Sequence, residues 1–232
     1  FRDEGGIDTA TSTNESYNAS DFYTNSITTA TNLTDDDGNT GHSPSAEGGL
    51  SATTTVKKFG ASSAEFDGDG DYLEIADHAD WDFGTGNFTI DMWVRFANIS
   101  GASKIFFSQR DGSDNNEVYY QSGTLYWEIR STVVGGSIAG GLLSGSAWSP
   151  SVDTWYHVAA VRNGNTFTLY VDGSSIGSDT DASAMSVSTG TFDIGGRGAS
   201  LEHSGSIDEF RISNTARWTS NFTPPTSEYT SD

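Results

Sequence analysis

The sequence predicts an all-β fold, a two-sheet antiparallel β-sandwich of the jelly-roll kind, and three observations carry that prediction. The composition is 12% aromatic with 27 glycines in 232 residues. It is rich in Ser and Thr and poor in Leu and Lys, which suits strands joined by turns better than long helices. The stretch FTIDMWVRF (88–96) alternates with period two: Ile90, Met92, Val94 and Phe96 fall on one face, Asp91, Trp93 and Arg95 on the other. That is the pattern of a strand half buried in a sandwich. Similar runs recur at roughly 8 to 12 residue spacing, parted by turn residues such as Asn163-Gly164-Asn165, with no sign of βαβ units.

Residues 1–21 read as a polar arm with Tyr17 as its main apolar anchor, and Phe22, Tyr23 and Ile27 follow it. A strand is predicted within DFYTNSITTATNL (21–33), then a loop TDDDGNTGHSPSAEGG (34–49) and a strand in SATTTVKKFG (51–60). EFDGDGDYLEIAD (65–77) places a turn before the strand DYLEI, with Asp67, Asp69 and Asp71 alternating with glycines. After FTIDMWVRF come SKIFFSQ, EVYYQ, TLYWEIR, WYHVAAVR, TFTLYVDG, TFDIGG and SIDEFRIS as further strands. Residues 22–225 form one domain in this reading, and the tail 226–232 follows Pro224-Pro225, which stop regular structure.

The formal charge is −21, from 11 Lys plus Arg against 32 Asp plus Glu. Such a chain repels nucleic acid and anionic membrane surfaces and attracts divalent cations. The sequence has no cysteine, which removes disulfides, thiolate metal sites and a thiol nucleophile. No run of about 18 apolar residues suggests membrane insertion. The start at Phe1, without Met or a leader, suggests a mature or excised product.

Five stretches in order resemble a laminin-G-like (concanavalin A-like) jelly-roll domain over residues 22–225. They are KKFGASSAEFDGDGDYLEIADHADWDFGTGNFTIDMWVRF, KIFFSQRDGSDNNEVYY, VDTWYHVAAVRNGNTFTLYVDG, FDIGGR and GSIDEFRISNTARWTSNFTPP. The last of them is similar to versions found in bacteriophage virion and microbial surface proteins. The resemblance implies two twisted sheets with loops where carbohydrate or protein ligands dock, and it places Trp155 in the core. It implies a non-enzymatic virion-surface or extracellular module of the decoration or fibre type, with other assembly subunits, copies of itself and a glycan as partners. The alternatives are a building block of an extracellular filament or surface layer with no glycan ligand, or a polysaccharide-active enzyme on the same fold.

Three groups of residues are candidates for a site. Calcium takes carboxylate and carbonyl oxygens, so Asp67, Asp69 and Asp71 could join Asp208 around one structural Ca²⁺. Alternation in GSIDEFRIS puts Asp208 on the side of Phe210 and Ile212. An EF-hand is excluded because loop position 12 holds His78, and a plain hairpin turn with Asp-Gly pairs is the competing reading. The pentraxin branch of the resemblance matches Asp114-Asn115 to a ligand-binding pair, although only Glu202 remains of its second acidic cluster. Sugar binding needs aromatic faces and planar polar groups, which nominates Asn116, Tyr119, Tyr126, Trp127, Arg197 and His203, with core packing as the alternative for each aromatic. No Glu-x-Asp-x-Glu strand or Gly-x-Ser-x-Gly elbow is present. Glu209 beside Asp208 should point to the opposite face. Asn-x-Ser/Thr sequons stand at Asn14, Asn18, Asn32, Asn87, Asn98 and Asn221, meaningful only in a secreted eukaryotic protein.

Overall fold

The computed structural model describes residues 14–17, 44–112, 114–130, 142–185 and 187–229. The strand predicted within 21–33 and the sequons at Asn18 and Asn32 lie outside these residues. In chain order the strands are β1 (Asn14–Tyr17), β2 (Ser45–Glu47), β3 (Ser51–Thr53), β4 (Ser63–Phe66) and β5 (Tyr72–Ile75). Then follow β6 (Phe88–Phe96), β7 (Lys104–Asp111), β8 (Asp114–Gln121), β9 (Thr124–Arg130) and β10 (Leu142–Ala147). The last five are β11 (Trp155–Asn163), β12 (Thr166–Val171), β13 (Ser174–Thr180), β14 (Phe192–Ile194) and β15 (Gly205–Ser213). One sheet runs β13-β12-β11-β6-β15-β4-β3 with β1 also on β15, and the other runs β10-β9-β8-β7-β14-β5-β2. The antiparallel sandwich that the sequence predicts is the fold observed.

The two sheets share one core, in which Ile90, Met92, Val94 and Phe96 of β6 face Phe107, Val118 and Trp127 of the other sheet's strands. Phe88 packs edge-on to Trp127 at 5.8 Å between ring centroids, and Phe107 stacks on Phe192 at 5.5 Å. Apolar burial at every second position is what holds both sheets in register, since a one-residue slip would turn these rings to water.

β6 is not half buried, contrary to its alternation. Asp91 and Trp93, on its other face, are also buried, because the C-terminal segment crosses the outer face of the eight-stranded sheet. Trp218 and Phe222 stack at 3.9 Å and pack on Ala159, Val161 and Tyr170. Phe222 N–H donates to Gly173 O at 2.9 Å, and Tyr229 lies 3% exposed beneath the end of the segment. Trp155 falls on this outer side of β11, half exposed, rather than in the core.

The EFDGDGDYLEI turn is not a hairpin either. β4 belongs to the eight-stranded sheet and β5 to the seven-stranded one, so the turn carries the chain from one sheet to the other. Gly68 and Gly70, both at φ 85°, supply the left-handed backbone that this sharp corner needs. β10 and β13 were not legible, being Ser- and Gly-rich edge strands, and β2 lies inside the loop predicted for 34–49.

A bulge in β15 overturns the alternation read there. The register against β6 shifts between Asp208 and Arg211, with Glu209 at φ 53°. Ile207 and Phe210 both reach the core, so Asp208 does not share the face of Phe210 and Ile212. One extra residue in the strand is enough to move it. The same bulge lets Asp208 and Glu209 both meet backbone lying over the outer side, instead of pointing to opposite faces.

Candidate functional site

The outer face of the seven-stranded sheet carries a polar and aromatic row with no sequence motif of its own. Pairing register places Glu74 beside Asp193, Asp193 beside Ser108, Ser108 beside Glu117, and Glu117 beside Glu128. Two residues along β8 and β9, Tyr119 faces Tyr126. Their rings stack at 5.0 Å with 21° between planes, and both are half exposed. On the other side of the carboxylate row Asn115 lies between Arg110 and Arg130.

Glu117 and Glu128 in this row are fixed. Glu117, 1% exposed, accepts from Ser108 Oγ at 2.9 Å and meets Arg110 at 3.5 Å and Arg197 at 3.4 Å. Glu128 accepts from Arg130 Nε at 2.5 Å and from Tyr119 Oη at 3.3 Å. Burial, with the Glu128 carboxylate beside it, pushes the Tyr119 phenol up to about 12, so the hydroxyl stays a donor. Burial, and to a smaller degree Glu117, raises Asp193, against the opposing pull of Gly198 N–H and the Thr191 hydroxyl. Burial likewise raises Glu74, helped by Asp193 and Glu47. The result is a line of oriented acceptors and guanidinium donors beside an aromatic pair, which is the chemistry that sugar hydroxyls and ring faces meet.

At one end of the sandwich β7, β8 and β9 meet the loop after β13 in a narrow cleft lined by Gln109, Asn115, Asn116, Ile129, Arg130 and Met185 together with Asp114 and Ser188; Gln109, Asn116 and Ile129 are on the core side of the sheet and Asn115 and Arg130 on its outer side. Of the residues predicted for ligand binding, Asp114, Asn115 and Asn116 line this cleft, while Tyr119, Tyr126 and Arg197 stand on the outer face of the sheet. Glu202 is half buried in the turn before β15.

Two predicted ligand residues are corrected. Trp127 is fully buried and spends its indole N–H on Asn116 Oδ1 at 2.8 Å, so it is core. His203, also fully buried, sits among Phe66, Phe96 and Phe106 with Nε2 donating to Arg95 O at 3.1 Å. Burial pulls it down to about 4, and the neutral ring is a packing element. Sequence reasoning missed Arg110, Glu117, Glu128 and Asp193 because only strand pairing puts them in line, and missed Gln109 and Met185 because a distant loop closes over them. The alternation of DNNEVYYQ against TLYWEIR was the one available signal.

The four aspartates assigned to calcium do not converge. Asp71 Oδ1 accepts Gly49 N–H at 2.6 Å and its Oδ2 accepts Asp67 N–H at 2.9 Å, while Asp67 Oδ1 accepts Asp69 N–H at 2.7 Å. Asp208 instead accepts Lys58 N–H at 2.8 Å and Phe59 N–H at 3.2 Å. Backbone donors occupy the carboxylates of Asp67, Asp71 and Asp208, and among the described residues no three acidic or histidine side chains gather as a metal site. These residues therefore do not fit the predicted ion. Of the sequon asparagines with described side chains, Asn87 and Asn221 are exposed yet hold Gly164 N–H at 2.7 Å and Ser175 N–H at 2.9 Å. Asn98 caps Ser100 at 2.8 Å, and Asn14 lies in β1.

Comparison with known proteins agrees with this architecture. Residues 67–220 match the laminin-G-like profile of the concanavalin A-like lectin/glucanases superfamily, whereas curated protein sequences return no match. The fold resembles domain 4 of AbnA, a GH43 extracellular arabinanase from Geobacillus stearothermophilus, solved in complex with arabinotriose. That likeness has a TM-score of 0.61 at 16% identity and covers 88% of this chain and 94% of that one. It also resembles the binding domain of botulinum neurotoxin serotype G, with a TM-score of 0.58 at 14% identity over 79% of this chain and 45% of that one. Trypanosoma rangeli sialidase aligns with a TM-score of 0.58 at 13% identity, over 88% of this chain and 30% of that one. This chain therefore spans less than half of the neurotoxin domain and of the sialidase, and at these identities the likeness is one of fold. The chain belongs to the laminin-G-like branch of the concanavalin A-like lectin/glucanases superfamily.

Proposed function

We propose that this protein is a non-catalytic, glycan-binding module that works outside the cell or on a particle surface, and that its ligand lies on the outer face of the seven-stranded sheet. The observation that carries this reading is the stacked Tyr119–Tyr126 pair, 5.0 Å apart, beside the fixed acceptors Glu117 and Glu128. Stacking of a sugar ring on tyrosine combined with hydrogen bonds to held carboxylates is an economical way to recognise a neutral polyol. Glycosidases on β-sandwiches use paired carboxylates about 5 to 10 Å apart, one of them as proton donor. Here Glu117 is engaged by Arg110 and Arg197 and Glu128 by Arg130, so both serve as acceptors, which favours binding over hydrolysis. The bound arabinotriose of the arabinanase domain makes that trisaccharide a reasonable first probe.

The test is a glycan array followed by calorimetry with arabinotriose and other neutral oligosaccharides, on the protein as it stands and on Tyr126→Ala. Binding by the parent and a loss of tenfold or more in the variant is expected. Absence of any glycan binding, with and without calcium, would remove the reading and leave a structural surface module.

A further inference from the structure

Two residues beyond the Glu117–Glu128 row, on the same outer side of the seven-stranded sheet, register sets Asn115 of β8 between Arg110 of β7 and Arg130 of β9. The two arginine side chains are 40% and 60% exposed. Each spends one nitrogen on a glutamate of the neighbouring row: Arg110 Nη1 lies 3.5 Å from Glu117 and Arg130 Nε 2.5 Å from Glu128. A guanidinium carries five N–H donors, so each fork keeps donors that no described residue takes up. Between them Asn115 is 7% exposed, and its Oδ1 has no hydrogen-bond partner among the described residues.

The row between does not interrupt this strip. Arg197, 31% exposed, reaches Glu117 at 3.4 Å from the turn after β14. Along β8 a ligand therefore meets a tyrosine pair at one end, a carboxylate row edged by Arg197 in the middle, and two guanidiniums around an amide at the other end. The tyrosine row and the arginine row stand four residues apart along β8, about 13 Å at strand rise. A single sugar ring is too small to meet both.

We propose that Arg110, Asn115 and Arg130 form a second subsite of the glycan face, which holds the hydroxyls of a further sugar unit and makes the protein select an oligosaccharide by its length; the inference rests on the glycan-binding reading. A hydroxyl accepts two hydrogen bonds and donates one, which suits guanidinium donors on both sides and an amide oxygen between them. Glu117 and Glu128 already balance the charge of the two arginines, and the chain's charge of −21 opposes the approach of an anion. The unit held there is therefore neutral.

The experiment is calorimetry with linear arabino-, xylo- and cello-oligosaccharides from one to five units long, with an acidic trisaccharide as contrast, on the parent, Asn115→Ala, Arg130→Met and Tyr126→Ala. Melting curves verify folding. Since Asn115 Oδ1 has no partner to leave behind, Asn115→Ala carries the test if Arg130→Met does not fold. In the parent, affinity for the preferred series should rise at least tenfold from the shortest sugar to the longest. In each subsite variant that rise should shrink at least fivefold, about 1 kcal/mol at 1.4 kcal/mol per tenfold, while Tyr126→Ala weakens every length. Affinity that does not depend on length, or subsite variants that keep the parent's full rise while Tyr126→Ala loses binding, would overturn the second subsite and leave the tyrosine site standing. Preference for the acidic trisaccharide overturns the neutral assignment. Failure of every glycan overturns the subsite and the glycan-binding reading together.

Discussion

Replacing Glu209 by glutamine should stabilise the protein at alkaline pH and flatten its stability profile. In the bulge of β15 this side chain is buried beneath the C-terminal segment, 1% exposed, where its Oε2 accepts Tyr229 N–H at 2.6 Å. Burial pushes its carboxyl up to about 8 from 4.5; the nearby Asp208 and Glu228 add to the rise, while Tyr229 N–H and Arg211 oppose it. An acid raised on folding binds its proton more tightly in the folded state. Its contribution is thus fully present below the unfolded value and is lost as pH climbs toward the folded one. Asp208, pushed up by burial to about 6, shapes the profile in the same direction at lower pH, so the window from pH 6.5 to 8 isolates Glu209. One proton over that window corresponds to at most about 2 kcal/mol, at roughly 1.4 kcal/mol per pH unit. Glutamine keeps the acceptor for Tyr229 and cannot ionise. Urea unfolding at several pH values and constant ionic strength measures it: the parent should lose stability across the window and the variant should lose at most a small part of that. Parallel profiles would show that Glu209 does not ionise at the expense of folding, and the reasoning would fail.

Further perturbations test the rest of the fold. Asp91→Asn removes the carboxylate that Arg211 grips at 3.0 and 2.9 Å and His157 meets at 3.2 Å. Breaking such a buried pair leaves a guanidinium uncompensated and should cost about 3–5 kcal/mol in urea unfolding; a loss under 1 kcal/mol would contradict the network. Gly195, at φ 81°, would place a Cβ 2.1 Å from the Phe66 ring, so Gly195→Ala should lower the melting temperature by several degrees or prevent folding; an unchanged melting temperature would show that the turn adapts. Calcium against chelator should leave the thermal midpoint unmoved, since backbone N–H groups already hold Asp71 and Asp208; a rise with calcium would require an ion bound by the folded state.

The fold was legible because its signal is repetitive. FTIDMWVRF and WYHVAAVRN write their core face at every second residue, and that face is what the structure buries. What failed were features that depend on a distant partner. ARWTSNFTPPTSEY read as an end to regular structure, yet Trp218 and Phe222 are what let Asp91, His157 and Trp93 be buried on a face whose sequence alternation promised water. Asp208 misled for a local reason: a bulge inserts one residue, and no alternation rule can anticipate where. Tyr119 and Tyr126 were recoverable as half-exposed strand residues and Arg197 as part of the turn after β14, but Glu117 and Glu128 become a pair only when β8 and β9 are in register. Trp127 and His203 illustrate the reverse error, polar-edged rings whose hydrogen bonds are spent inside the core.

These features together explain why a ligand should choose one sheet over the other. Each sheet of a sandwich has one face committed to the core and one left to solvent. In the eight-stranded sheet the second face is spent on the chain itself: Trp218 and Phe222 lie over the strands, and Tyr229 closes on Arg211 at 3.9 Å and on His157 Nε2 at 2.9 Å. In the seven-stranded sheet the corresponding face keeps its tyrosines half exposed and Arg110 and Arg130 accessible beside the paired carboxylates. A net charge of −21 opposes anionic ligands at long range, and the arginines of this face are already matched to Glu117 and Glu128. The chemistry left for recognition is therefore that of neutral groups, ring faces for the tyrosines and hydroxyls for the polar groups beside them. A strong dependence of binding on salt would contradict that conclusion, because ligand capture through hydroxyls and stacking should persist essentially unchanged from low to high ionic strength.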